Sequence, residues 1–161
     1  VCGDFEKLIN LQLKEKHPKS WMRAFFNMGL INYIEGSRRM LPCQAGEMNF
    51  FVEPYGDIYP CNGLEKKYWK KSIGNIRETP NFKEIWEGKQ AEQVRQMVRR
   101  CPKNCWMVGT ASPVMHKYIK YPLKWALKNK LRSLQGKTAC LDKCWYNVGQ
   151  DPSQGDLRDV F

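Results

Sequence analysis

The chain has 161 residues, 42% of them hydrophobic and 12% aromatic, so it holds enough apolar material to bury a core and is not wholly disordered. That length suits one main folding unit with extensions and is short for an enzyme built on a complete α/β barrel. The net charge is +11, no apolar run is long enough for a membrane-spanning helix, and Val1 opens neither a signal peptide nor an initiator sequence, so a processed fragment working in the cytoplasm is expected.

The first 42 residues read as two helices. Asp4 is placed to cap a segment in which Phe5, Leu8, Ile9 and Leu13 recur at helical spacing, and His17-Pro18 marks a break. Ser20 then opens a second helix, where Met22, Phe25, Phe26, Met28, Leu30, Ile31 and Tyr33 cover more than one face and imply contacts on two sides. Gly36 stops it. From Met48 the period changes to two, with Met48, Phe50 and Val52 on one face of a strand. Pro54-Tyr55-Gly56-Asp57 supplies a turn, and Ile58-Tyr59-Pro60 returns as a short second strand, making a hairpin. The Lys-rich stretch from Glu65 to Lys71 reads as a loop.

Thr79-Pro80-Asn81 announces a further helix, with Asn81 and Glu84 at capping-box spacing and Phe82, Ile85 and Trp86 facing inward. Another runs from Gln90 to Arg100 over a buried stripe of Ala91, Val94, Met97 and Val98. Pro122 begins a last helix, basic and amphipathic, in which Leu123, Leu127, Leu131 and Leu134 fall on one side and Lys124, Lys128 and Arg132 on another. The tail after Gln150, rich in Asp, Gly, Pro and Ser, reads as poorly ordered. The motif C-x3-C-W occurs twice, at Cys101–Trp106 and Cys140–Trp145, too few copies for a repeat fold. The fold class is therefore α+β, a small β-hairpin followed by helices, with helices at both ends.

Charge is uneven along the chain. Gln93 to Leu141 contains eleven Lys and Arg and no Asp or Glu, while the remainder sums to zero. Such a segment suits anionic partners, although a solvated face is the commoner explanation. No RNA-binding pattern surrounds Trp86, Trp106 or Trp145, which read as core or shielding aromatics. Neither nucleic acid nor a membrane is expected as a partner. His17 and His116 read as surface or capping residues, and Glu47, Glu53 and Asp57 flank the hairpin where a substrate could touch them.

Seven cysteines, an odd number without a secretory signal, argue for metal binding over a disulfide framework, and thiolates favour zinc or iron-sulfur clusters. Cys43 precedes the first strand and Cys61 follows the second, so an antiparallel hairpin brings their thiols toward its open end. Cys101 and Cys105 follow the Gln90 helix, where a turn containing Pro102 and Asn104 directs two sulfurs at one metal. Arg99, Arg100 and Lys103 beside Cys101 would lower the cost of an anionic cluster, or simply meet the helix dipole.

Cys43-Gln-Ala45-Gly46, the turn Pro54-Tyr-Gly56-Asp57-Ile58-Tyr-Pro60-Cys61, Ile73-Gly74-Asn75-Ile76, Trp86 and Cys101-x3-Cys105 together resemble the C-terminal auxiliary-cluster domains of radical S-adenosylmethionine (radical SAM) enzymes, the SPASM domain and its shortened relative, the twitch domain. The resemblance spans about Cys43 to Gly109 and implies a 4Fe-4S cluster held by Cys43, Cys61, Cys101 and Cys105. It implies three regions: a helical connector over 1–42, the cluster domain over 43–110 and a basic helical extension over 111–161. The downstream cysteine run of a full SPASM domain is missing, so one cluster fits better than two. Cys140 and Cys144 would support a second metal only with Cys2 or residues outside the chain.

The radical SAM signature C-x3-C-x2-C is absent, since Val108 and Asn147 stand where a third cysteine would complete each pair. By this reading the chain is inactive alone and joins an N-terminal radical SAM barrel of the same polypeptide, the part that would bind S-adenosylmethionine and act on a peptide or small molecule. The cluster would serve electron transfer or substrate positioning. A four-cysteine zinc module with a basic surface for nucleic acid or other anionic partners remains the alternative.

Overall fold

His17 and Pro18, the expected break, are themselves a helix start. The His17 side chain accepts a hydrogen bond from Lys19 N, and Pro18 takes the first helical position, where its missing N–H costs nothing. The computed structural model describes residues 1–61, 72–101 and 103–141. The expected loop from Glu65 to Lys71, the tail after Gln150, Pro102, Cys144 and Trp145 lie outside the described residues.

Within them are six helices and three strands: α1 (Cys2–Lys14), α2 (Pro18–Ile34), β1 (Phe51–Val52), β2 (Asp57–Tyr59), β3 (Gly74–Asn75), α3 (Phe82–Glu87), α4 (Lys89–Arg99), α5 (Val108–Lys117) and α6 (Lys120–Leu134). The fold class is α+β, as expected. The described residues fall into two compact units: Val1–Leu41 with those from Asn104 onward, and those within Pro42–Lys103.

The helical unit is built on α2, which packs against both α1 and α6 and so uses two faces, as its apolar pattern implied. Ile9 and Leu13 of α1, Phe25, Met28 and Ile31 of α2, Trp106, and Trp125 and Ala126 of α6 share one buried cluster. Phe25 meets Trp125 edge-on at 5.6 Å. Asp4 lies inside the first turn of α1 rather than capping it, because the helix already begins at Cys2. Glu35 and Gly36 close α2 by donating to Ile31 O and Tyr33 O. The end of α1 is closed from a distance: Lys130 Nζ donates to the carbonyls of Leu13, Lys14 and Glu15, a cation placed at a helix C-terminus.

Helix α6 does not bury the leucine side of its sequence pattern. Its buried side is Pro122, Trp125, Ala126 and Asn129, and the leucine row faces outward. Two features set that rotation. The indole of Trp125 brings more apolar area to the core than any one leucine, and Asn129 bridges Trp125 O and Cys140 N. Helix α5 was not apparent in the sequence because Gly109, Thr110, Ser112 and Pro113 are poor helix formers.

The second unit is a three-stranded antiparallel sheet in the order β1-β2-β3, with α3 and α4. Phe51 pairs with Tyr59 and Val52 with Ile58, then Ile58 pairs with Gly74. The strand expected from Met48 is confined to β1. Gln44 O accepts from both Glu47 N and Met48 N, and Gly46 N donates to Asn49 O, so these backbone groups are used within a turn. Gly56 holds φ at +94° in the hairpin turn, where an added Cβ would also lie 2.8 Å from Asn75 Oδ1. Ile58, Ile73, Ile85, Ala91, Val94 and Val98 form the core of this unit. Met97 and Phe82, both expected inside, are exposed. Asn81 caps α3 as its spacing predicted, accepting from Lys83 N while its amide donates to Glu84 Oε1.

Candidate metal centre

Cys43 and Cys61 both pack against the core of the second unit, and Val98 of the same core lies one turn before Cys101. Two of the four candidate ligands, Cys43 and Cys61, thus share one small cluster of apolar side chains, and Cys101 follows the helix that carries Val98. Cys43 leads into the tight turn at 44–49, which lies against the end of the hairpin: Asn49 Nδ2 donates to Pro60 O at 3.4 Å, and an added Cβ on Gly46 would meet Pro60 Cβ at 3.2 Å. Gly46 also holds φ at +76°, so two separate demands select glycine there. Cys61 directly follows Pro60. The turn that follows Cys43 and the residue that precedes Cys61 are therefore in contact, through Gly46 and Pro60.

Helix α4 is tied to this turn by two arginines. Arg95 Nε donates to Gly46 O at 2.8 Å and Nη2 to Trp86 O at 2.6 Å, while its guanidinium lies 4.7 Å from the Trp86 ring centroid. Its side chain is only 14% exposed, so these contacts form largely out of water. One turn on, Arg99 Nη2 reaches Glu47 Oε1 and Nη1 reaches Glu92 Oε1, both at 3.1 Å. The hydrogen bond from Arg99 holds the Glu92 carboxyl below its ordinary range, and that bond, with the one to Glu47, holds the guanidinium charged. Arg99, expected to serve an anionic centre or the helix dipole, is thus engaged by two carboxylates. The C-terminus of α4, where Cys101 N bonds Val98 O, is fixed relative to the segment carrying Cys43.

Cys105 belongs to the helical unit. Its carbonyl accepts from Arg39 Nη1, and Arg39 also donates to Leu41 O and Thr110 O, each at 2.9 Å. Arg39 is buried, its charge met by three carbonyls and by the face of Trp106 at 5.2 Å. Cys140 lies in the same unit, its N–H bound to Asn129 Oδ1, and Cys2 packs at the edge of that core. Cys43, Cys61, Cys101, Cys105, Cys140 and Cys2 are all half-buried. Among the described residues no group of three or more His, Cys, Asp or Glu stands close enough to hold a metal ion.

Residues 43–107 match the SPASM iron-sulfur cluster-binding domain. The SPASM match begins at Cys43 and contains Cys61, Cys101 and Cys105, whereas Cys2, Cys140 and Cys144 fall outside it. No curated protein and no solved structure matches the chain. The donor set of the matched segment suits an iron-sulfur cluster: its only cysteines are those four, and thiolates are the soft ligands such clusters take. Arg95 and Arg39, which hold the segments around Cys101, Cys43 and Cys105, were missed in the sequence, where an arginine bound to backbone carbonyls looks like any other.

Other candidates resolve into ordinary roles. Trp106 is core, its Nε1 donating to Phe26 O at 2.9 Å. Trp86, half-buried, instead groups with the exposed rings of Phe50 and Phe82, centroids 5.1–5.5 Å apart. His17 caps α2 and His116 is exposed. Asp57 accepts from Asn75 Nδ2 within the hairpin and borders a cavity of about 330 Å³, with Glu78, Glu84 and Lys89 also on its wall.

Proposed function

We propose that the SPASM segment holds a single 4Fe-4S cluster on Cys43, Cys61, Cys101 and Cys105, and that it is the auxiliary cluster domain of a radical SAM enzyme. The observation that carries this reading is the extent of the match, which opens on Cys43 and encloses these four cysteines and no others. When bound, a cluster with cysteine on every iron supplies one-electron transfer and offers no open iron to a substrate. The chain's own part is to hold the ligands. Gly46 lets the Cys43 turn close on Pro60, Arg95 ties that turn to α4, and Arg39 holds the backbone at Cys105. Electron relay to, or substrate positioning against, a separate radical SAM barrel follows from that role.

Anaerobic reconstitution of the chain tests the cluster. The expected product is brown, with about four irons and four sulfides per chain. A colourless protein with stoichiometric zinc under the same conditions would favour the four-cysteine zinc module and overturn the proposal. The radical SAM context is tested separately by the polypeptide encoded ahead of Val1. A C-x3-C-x2-C signature there supports it, and a native start near Val1 removes it.

A further inference from the structure

Helix α6 presents two parallel rows to solvent. Ile119, Leu123, Leu127 and Leu131 recur every four residues, continued by Leu134, and are 46%, 43%, 46%, 61% and 73% exposed. Lys120, Lys124, Lys128 and Arg132 recur at the same interval one residue later, about 100° round the helix. The first three are exposed and Arg132 is half-buried. The opposite side of α6, with Trp125, Ala126 and Asn129, is already buried in the helical unit, so this outer face has no part in that core. The apolar row is about 22 Å long at the rise of an α-helix.

We infer that this face of α6 lies on an anionic lipid surface, with the leucine row entering the headgroup boundary and the lysines meeting lipid phosphates. The arrangement is that of an interfacial helix, in which an apolar stripe is edged by cations whose stems stretch toward the polar layer. Among the described residues no helix is long and apolar enough to cross a membrane, so α6 rests on the surface instead of spanning it.

Three observations choose the lipid over other occupants. First, Lys120, Lys124, Lys128 and Arg132 edge the leucine row with positive charge alone, which complements a layer of anionic headgroups and needs no fixed register there. Second, a nucleic acid would pair with the lysines but leave the leucine row in water. Third, a second copy would bring two basic rows together and repel itself. On the sequence alone no membrane is expected as a partner; in the structure Trp125 occupies the core and the leucines are turned out.

The test is flotation of the full 161-residue chain with vesicles of phosphatidylcholine containing phosphatidylglycerol. The chain should float with these vesicles and stay behind with phosphatidylcholine alone. Leu127→Gln with Leu131→Gln should lower partitioning by about tenfold or more. Lys124→Gln with Lys128→Gln should lower it by roughly tenfold to thirtyfold. Both double variants should melt like the parent, because all four side chains point outward. No flotation, flotation unaffected by the leucine pair, or oligonucleotide binding unaffected by that pair would each overturn the assignment. So would salt-resistant self-association lost with the leucines, which would make the face a contact between copies.

Discussion

At Gly29 the backbone of α2 touches the indole of Trp106, and an added Cβ would fall among Trp106 Cε2, Nε1 and Cδ1. Trp106 cannot retreat, because its Nε1 is bound to Phe26 O and Arg39 covers its face. Gly29→Ala, which in a free helix would gain about 1 kcal/mol, should instead cost about 1–3 kcal/mol of stability in chemical denaturation. Nothing in the sequence distinguishes this glycine, since the residue that excludes a side chain lies far along the chain. The cysteines are the opposite case. Spacing and residue type mark Cys43, Cys61, Cys101 and Cys105 directly, and each replaced by Ala should lower iron content and melting temperature together after anaerobic reconstitution. Cys2→Ala, outside the SPASM match, should change neither. Iron unchanged in any one of the four would remove that residue from the ligand set.

Helix α4 carries the most consequential contacts between elements, made by residues that periodicity alone assigns to a solvated face. Arg95→Met keeps the aliphatic bulk but removes the bonds to Gly46 O and Trp86 O, and should cost about 2–4 kcal/mol by urea unfolding. Arg95→Lys should recover only part, because a single ammonium cannot reach both carbonyls in the geometry of a guanidinium. Next to it, the exposed Glu92 titrates below the ordinary carboxylate range through its hydrogen bond with Arg99. Its contribution is therefore full above that range and is lost as pH falls through the depressed value. Glu92→Gln should remove this part of the acid-side loss in melting temperature, leave the neutral-to-alkaline side flat, and matter less at high salt. The same distinction explains which elements were legible. Caps and turns are local, so Asn81 and Gly56 announce themselves, although His17, read as part of a break, is the cap of α2. The rotation of α6 is decided by a competition between Trp125 and four leucines for one core, and the length of β1 by the turn in which Gln44 O accepts from Glu47 N and Met48 N.

Across the whole molecule, the α+β class and the segment that matches the SPASM domain were readable because both rest on pattern and on residue chemistry. The helical unit was only half visible. Its two N-terminal helices and α6 were apparent, but α5 was hidden by Gly109 and Pro113, and no local signal shows that residues so far apart in sequence share a core. Arg39 makes that sharing physical at the point where the chain leaves the helical unit and where it comes back, binding Leu41 O and the Cys105 carbonyl together. The stretch from Pro42 to Lys103 is therefore a nested insert whose two roots are pinned by one side chain. A protease nick within it should leave two fragments that co-elute under native buffer and part only in denaturant, and Arg39→Leu should let them drift apart far sooner.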